Sequence, residues 1–262
     1  MDTVRAKKFL GQHFLTDETI ARRIVDSLSA RSLPVLEVGP GMGVLTKYLI
    51  DRADIEFKVV EIDSESVDYL HRHYPSLQVV EGDFLRMNLT TLFQKPFAVI
   101  GNFPYNISSQ ILFRVYENHE LVPELVGMFQ KEVAERVAAK PGSKTYGILS
   151  VLLAVYYDIQ YLFTVPESVF NPPPKVKSAV ISLRRKEGVT LPCEEAFFTT
   201  VVKTAFNQRR KTLRNALKSL SLSLDTVPDS ILASRAEQIS FSGFVQLSCT
   251  LQGVRDASRS KQ

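Results

Sequence analysis

Two short stretches of this 262-residue chain have residue types and spacing suited to chemistry. The first is Glu37-Val38-Gly39-Pro40-Gly41-Met42-Gly43, which follows an apolar run and opens a helical pattern. Glycines at a strand-to-helix turn let the backbone bend tightly and approach a ligand without a Cβ in the way. The spacing is GxGxG, with Val44 where a dinucleotide fingerprint places its third glycine, and no Gly-Lys-Ser/Thr follows as in a phosphate loop. Glu61 ends the next predicted strand, where a carboxylate accepts both hydrogens of a ribose diol. Asp83 ends the third, in Glu81-Gly82-Asp83-Phe84, where a carboxylate accepts an adenine amino hydrogen. A lone glycine turn is a weak signal, and any strand can end in an acid. Together, in register with successive strands and with no phosphate device, they describe a site for S-adenosylmethionine.

The second stretch is Gly101-Asn102-Phe103-Pro104-Tyr105-Asn106, at the end of the fourth predicted strand. An exocyclic adenine amine is a poor nucleophile because its lone pair is conjugated into the ring. It needs acceptors that take both amine hydrogens and draw the nitrogen toward tetrahedral geometry. The Asn102 side-chain oxygen and the Phe103 carbonyl are expected to supply them, with Pro104 fixing the turn. Tyr105 offers a flat face for an extruded base. The methylated ammonium is acidic enough to lose its proton to water, so no strong base is required. Asn106 reads as the cap of a helix beginning near Ser108.

Such groups need a sheet to hold them at one edge. The predicted strands are Leu33–Val38, Phe57–Ile62, Leu77–Val80, Phe97–Ile100, Leu125–Phe129, Ile159–Val165 and Ala179–Leu183. Helical patterns cover Asp17–Ala30 (capped by Thr16 or Asp17), Leu45–Arg52, Ser66–Arg72, Ser108–Glu117, Lys131–Ala139 and Gly147–Val155. Alternation of this kind predicts an α/β, Rossmann-like fold: a seven-stranded, mostly parallel sheet with helices on both faces. The Pro-rich link Val165–Pro174 permits an antiparallel hairpin at the sheet edge. Beyond Arg185 only helices are predicted, at Glu194–Asn207, Lys211–Ser219, Ser230–Ile239 and Gly243–Leu251. The expected organisation is a catalytic domain over residues 1–186 and a small all-helical domain over 187–262.

Several of these segments resemble one family. They are Gly11-Gln12-His13-Phe14-Leu15, the Glu37–Gly43 loop, Asn102–Asn106, Gln130-Lys131-Glu132-Val133, the stretch from Phe170 through Pro172-Pro173-Pro174 to Ser178, and Phe206–Arg214. Together they look like the ribosomal RNA adenine dimethyltransferase family, in its bacterial KsgA branch, over nearly the whole chain. The resemblance implies a class I S-adenosylmethionine-dependent methyltransferase fold. It implies transfer of four methyl groups to the N6 amines of two adjacent adenosines near the 3′ end of 16S rRNA, within an immature 30S subunit. It implies cofactor contacts at His13, Leu15, Gly39, Glu61, Asp83 and Asn102, with Gly41, Ile62 and Phe84 beside them. Phe170, read alone, is plain core; the resemblance makes it a second wall for the flipped adenine. The family commonly has Asn where this chain has His13 and Leu where it has Phe103. His13 keeps a ring nitrogen for the cofactor, and Phe103 contributes its backbone.

The formal net charge of +4 is unevenly spread. Residues 1–179 carry 19 basic and 21 acidic side chains, whereas residues 180–262 carry 13 and 7. A basic C-terminal end suggests a polyanionic partner. Arg209, Arg210, Lys211, Arg214 and Lys218 fall at helical spacing opposite Leu213, Ala216, Leu217 and Leu220, as a solvated helix face or, beside an adenine pocket, a phosphate-contacting one. Arg5, Lys7 and Lys8 extend that track. Composition, with 45% hydrophobic and 23% charged residues, excludes disorder, collagen and coiled coil as overall descriptions. Cys193 and Cys249 form neither a disulfide framework nor a thiolate site, and His71, His73 and His119 lack metal-ligand spacing, so no metal is expected. No apolar run is long enough to span a membrane and the N-terminus has charges where an export signal is apolar, which implies a cytoplasmic protein, taken as a monomer. The competing readings are a large-subunit rRNA adenine methyltransferase of the antibiotic-resistance kind and a non-catalytic ribosome-assembly factor. A DNA adenine methyltransferase is less favoured, because those place a second proline where Phe103 stands.

Overall fold

The N-terminal segment makes one 3-10 turn at Lys8–Leu10, closes it on Gly11 and enters a short strand, β1 (Phe14–Leu15). The computed structural model describes residues 4–29 and 33–259. Helix α1 (Glu18–Asp26) starts at Asp17, whose Oδ1 accepts from the N–H groups of Thr19 (2.9 Å) and Ile20 (3.1 Å). Its apolar positions Ile20, Ala21, Ile24 and Val25 are buried on the sheet, as a 3.6-residue period demands. Ala30, the expected end of this helix, lies outside the described residues.

Then come β2 (Val35–Val38), α2 (Thr46–Leu49), β3 (Phe57–Glu61), α3 (Ser64–His73), β4 (Gln78–Glu81), β5 (Ala98–Asn102), α4 (Ser108–Glu117) and β6 (Glu124–Gln130). They are followed by α5 (Lys131–Val137), α6 (Ile148–Tyr156), β7 (Tyr157–Val165), β8 (Phe170–Asn171) and β9 (Ser178–Arg185). The sheet order is β4-β3-β2-β5-β6-β9-β7. Neighbours from β4 to β6 are parallel and β9 is antiparallel to β6. From β2 the chain moves out to β4 and returns to β5 on the other side of β2, so strand order reverses between β2 and β5. In open α/β sheets ligands bind in the crevice at the carboxyl ends of such a pair. The glycine loop follows β2, and Asn102 ends β5.

All seven predicted strands are present in a mostly parallel sheet. A second, two-stranded sheet was not anticipated: β1 pairs antiparallel with β8, Phe14 opposite Asn171 and Leu15 opposite Phe170. It ties the N-terminal motif to the Pro-rich segment.

The chain forms two compact units: Met1–Ala134 with Asp158–Arg185, and Glu135–Tyr157 with Lys186–Gln262. Helix α6, expected in the α/β domain, belongs to the second unit, where it packs with α7 (Glu195–Asn207) and α10 (Phe241–Arg259). It is buried almost all round, from Leu149 to Tyr156, and an apolar helix without a polar face needs cover on every side. The same unit contains α8 (Leu213–Ala216) and α9 (Asp229–Ala233). The continuous helix expected over Lys211–Ser219 is not formed. Arg209, Arg210 and Lys211 occupy a turn after α7, Thr212 pairs with Arg235 in a β-bridge, and only Leu213–Ala216 is α-helical, continuing as a 3-10 turn to Leu220. Contacts made by Arg209 override the local helical spacing: its guanidinium binds Glu237 (2.7 Å) and the carbonyls of Ser143 and Lys144.

Candidate active site

Across the β2–β5 crevice lies a cleft of about 280 Å3. Its walls are Gly11–Leu15, Glu37, the loop Gly39–Leu45 and the turn Asn102–Tyr105, completed by Glu18, Lys47, Tyr69 and Tyr74. Of the expected cofactor residues, His13, Leu15, Gly39, Gly41 and Asn102 therefore share one cavity. Gly41 has φ 56°, and a Cβ there would stand 2.7 Å from the Phe14 ring, so a side chain is excluded by both conformation and space. At Gly39 (φ 69°) an added Cβ would instead meet nothing closer than the Pro104 ring at 3.9 Å. The gap between loop and turn is open to a ligand.

The turn itself is held from three sides. Asn102 Nδ2 donates to the His13 carbonyl (2.9 Å), which commits the donor half of the amide and leaves Oδ1 as an acceptor. The Phe103 N–H donates to the Met128 carbonyl (3.1 Å), and the Phe103 ring is buried against Phe129 at 4.8 Å. Tyr105 shares a short hydrogen bond with Ser178, and its ring centroid lies 5.2 Å from that of His13. Burial pushes the Tyr105 phenol above its ordinary value, so it stays neutral near pH 7. His13 Nδ1 donates to the Pro172 carbonyl (2.7 Å). Phe170 is 4% exposed, packs in the cluster with Leu15 and Val180, and stands outside the cleft lining.

Glu61, Ile62, Asp83 and Phe84 lie at the neighbouring strand ends, beyond the cleft lining. Those ends are joined, because the Gly82 N–H donates to the Glu61 carbonyl (2.8 Å). Burial raises the Glu61 pKa, opposed by N–H bonds from Asp63, Gly41 and Ile62 to its carboxylate. Asp83 is partly exposed and accepts from the Leu85 N–H (2.9 Å), Ile62 is exposed and Phe84 is buried.

Sequence reasoning assigned no role to Glu37. It is 1% exposed, it lines the cleft, and burial raises its pKa to about 8 against a hydrogen bond from Thr46 Oγ1 (2.6 Å). The available signal was a charged residue inside the fully buried strand Val35–Val38. Because the folded pKa exceeds the unfolded one, the folded state keeps a proton that the unfolded chain loses as pH rises from about 4.5 to 8. Glu37→Gln, which keeps the shape and the Thr46 contact, is expected to match the wild type in stability near pH 4. It should exceed it by up to a few kcal/mol at pH 8. Paired thermal melts at the two pH values check this; a constant difference contradicts it.

Asn106 does not cap α4; its Nδ2 donates to the Phe9 carbonyl (3.1 Å) and its amide packs on Gly11. Lys7, expected to face a polyanion, binds Asp63 and Glu65 instead. Burial disfavours the Asp63 charge, but bonds from Lys7, Gln12 (3.2 Å) and Ser66 (3.0 Å) outweigh it and hold its carboxyl below the usual range. These contacts fix the N-terminal segment beside the cleft.

In the helical unit, Arg210, Lys211 and Lys218 are exposed without an ion-pair partner among the described residues. Arg214 pairs with the exposed Asp229, and Arg209 is bound inward as described above. Leu213, Ala216 and Leu217 are buried beneath them. Among the described residues there is no cluster of three metal-ligating side chains and no helix long and apolar enough to cross a membrane.

The cleft fits S-adenosylmethionine on its own terms. A glycine loop leaves open space facing the Asn102–Tyr105 turn, and the single lining lysine, Lys47, is paired with Glu18, so no unpaired lysine faces a cationic ligand. Fold and site together define an S-adenosylmethionine-dependent methyltransferase. A sequence profile of the ribosomal RNA adenine dimethylase family matches residues 3–227. The chain is 58% identical over 251 residues to the ribosomal RNA small subunit methyltransferase A of Flavobacterium johnsoniae, covering 94% of this chain and 96% of that one. It is 56% identical over 252 residues to the protein of the same name from Bacteroides thetaiotaomicron, covering 94% of each. Among solved structures it is similar to a dimethyladenosine transferase from Plasmodium falciparum, with TM-score 0.76, 25% identity and coverage of 92% of this chain and 99% of that one. It is also similar to the 23S rRNA methyltransferase ErmE, with TM-score 0.64, 26% identity and coverage of 91% and 99%. The chain belongs to the ribosomal RNA adenine dimethylase family and is an S-adenosylmethionine-dependent rRNA methyltransferase.

Proposed function

We propose that this enzyme dimethylates the N6 amines of two adjacent adenosines near the 3′ end of 16S rRNA, four methyl transfers in all, acting as a cytoplasmic monomer on the immature 30S subunit. The observation that carries the reading is the orientation of Asn102, whose Nδ2 is tied to the His13 carbonyl so that Oδ1 stands as an acceptor at the end of β5. Oδ1 and the Phe103 carbonyl take the two amine hydrogens, weakening conjugation of the nitrogen lone pair with the ring. Tyr105 stacks the extruded base, with Pro104 setting the turn. His13, Leu15, Gly39, Gly41, Glu61, Ile62, Asp83, Phe84 and Asn102 hold the cofactor, and Glu37 joins them from the cleft wall. When bound, S-adenosylmethionine supplies an electrophilic methyl group on a sulfonium. The family profile and the small-subunit names of the bacterial relatives support this substrate.

With methyl-labelled cofactor and separate small and large ribosomal subunits, label is expected in small-subunit RNA alone. Label in large-subunit RNA would establish the resistance-type reading, and none in either would make the chain an assembly factor.

Arg210, Lys211, Arg214 and Lys218 are proposed to contact RNA phosphates, while Arg209 shapes their turn. Neutralising Arg210, Lys211 and Lys218 together is expected to weaken RNA binding. It should lower the slope of log affinity against log salt by roughly two to three. An unchanged slope in a binding titration returns these residues to an ordinary solvated surface.

A further inference from the structure

One large aromatic side chain stands almost fully in solvent beside the reacting turn. Phe9 is 77% exposed, more than Ile62 (54%) or Val176 (46%), the other exposed large apolar side chains among the described residues. Its backbone is nonetheless fixed. The Lys8–Leu10 turn is closed by the Leu10 N–H on the Lys7 carbonyl (3.1 Å) and the Gly11 N–H on the Lys8 carbonyl (3.0 Å). Asn106 Nδ2 donates to the Phe9 carbonyl, and Gly11 lies so close that a Cβ would come within 2.6 Å of Asn106 Oδ1. Lys7 anchors the same segment to Asp63. Phe9 is thus mounted on the residue that follows Tyr105. Arg5 and Lys8 flank it, exposed and without ion-pair partners among the described residues.

An isolated exposed ring between free cations, rather than within an apolar patch, matches the chemistry of single-stranded RNA: a π-face for a base and positive charge for the phosphates on either side. We propose that Phe9 is the stacking platform for an unpaired rRNA base next to the extruded adenosine, with Arg5 and Lys8 taking the adjacent phosphates. Extruding the target breaks its stacking with a neighbour. A ring mounted on the turn restores that stacking in the position the flipped strand requires. The inference rests on the rRNA reading above.

Phe9→Ala is the test, with Phe9→Tyr as the conservative control. The ring is solvent-exposed and outside the cleft lining, so melting temperature and calorimetric affinity for the cofactor should not change. In methyl transfer to immature small subunits, Phe9→Ala is expected to raise KM for RNA about tenfold with kcat within a factor of two or three, and Phe9→Tyr to recover most of the loss. A short unpaired oligonucleotide carrying the target adenosines should lose affinity to a similar degree. An unchanged KM in Phe9→Ala overturns the proposal. So does a KM effect on assembled subunits with no change for the oligonucleotide, which would assign Phe9 to a ribosomal protein. Failure of the wild type itself to label rRNA would instead overturn the functional reading.

Discussion

Asn102→Ala is expected to lower kcat by about 10²- to 10³-fold while RNA affinity stays within roughly threefold, the scale of losing one preorganised polar contact to a developing charge. The amine becomes nucleophilic only when acceptors hold both hydrogens out of conjugation. In the role proposed for it, Asn102 is oriented from outside the chemistry, because its Nδ2 donates to the His13 carbonyl. That bond uses the backbone of His13, so the side chain at this position is free to depart from the asparagine common in the family. Asn102→Asp keeps acceptor oxygens but sets a carboxylate against that carbonyl, and an intermediate rate is expected. Single-turnover kinetics separates the chemical step from binding. Full turnover in Asn102→Ala would remove this residue from the reaction.

Gly127→Ala is expected to be the most damaging single methyl group in the sheet. Gly127 pairs with Gly101 across β5 and β6, and the Phe103 ring occupies the space that both leave. A Cβ on Gly127 would lie 2.0 Å from Phe103 Cε2, and one on Gly101 would lie 2.7 Å from the same ring and from the Val38 carbonyl. The ring cannot step aside, since it is 1% exposed and packed on Phe129. Overpacking of this kind costs about 1–3 kcal/mol or more and displaces the turn that carries Asn102 and Tyr105. Denaturant melts should show the loss, and activity should fall further than stability alone explains. Phe103→Leu shortens the ring to the residue common in the family, and combined with Gly127→Ala it should recover much of the loss. The two residues are in contact, so strict additivity in that double-mutant cycle would contradict this packing.

The same contact shows why parts of the molecule were legible and others were not. Buried parallel strands announce themselves as short runs such as Val35–Val38 and Ala98–Ile100 bounded by glycine and proline, and all seven strands of the mixed sheet were readable. The glycine loop and the turn at Asn102 follow the first and fourth predicted strands, which the sheet order sets side by side as β2 and β5, so their shared crevice is a product of topology. The β1–β8 ribbon has two residues per strand and no period, and it exists only through a contact between distant segments. Helix α6 gave no clue to its partners because it has no polar stripe. The four-residue spacing of Arg210, Arg214 and Lys218 suggested a helix that inward bonds of Arg209 interrupt. Asn106 had the composition of a cap but bonds a carbonyl far along the chain. Glu37 was visible as an acid in an apolar strand, yet only its burial, which outweighs the Thr46 hydrogen bond, reveals it as a carboxyl that keeps its proton near neutral pH.

Nucleoside analysis decides whether two neighbouring small-subunit adenosines are dimethylated. Small subunits isolated without these modifications would be incubated with the enzyme and methyl-labelled cofactor, and their RNA digested to nucleosides. N6,N6-dimethyladenosine is expected as the end product, at two residues and four labelled methyl groups per subunit, all in a fragment from the 3′ end. Monomethyladenosine as the final product, or label elsewhere in the RNA, would contradict it.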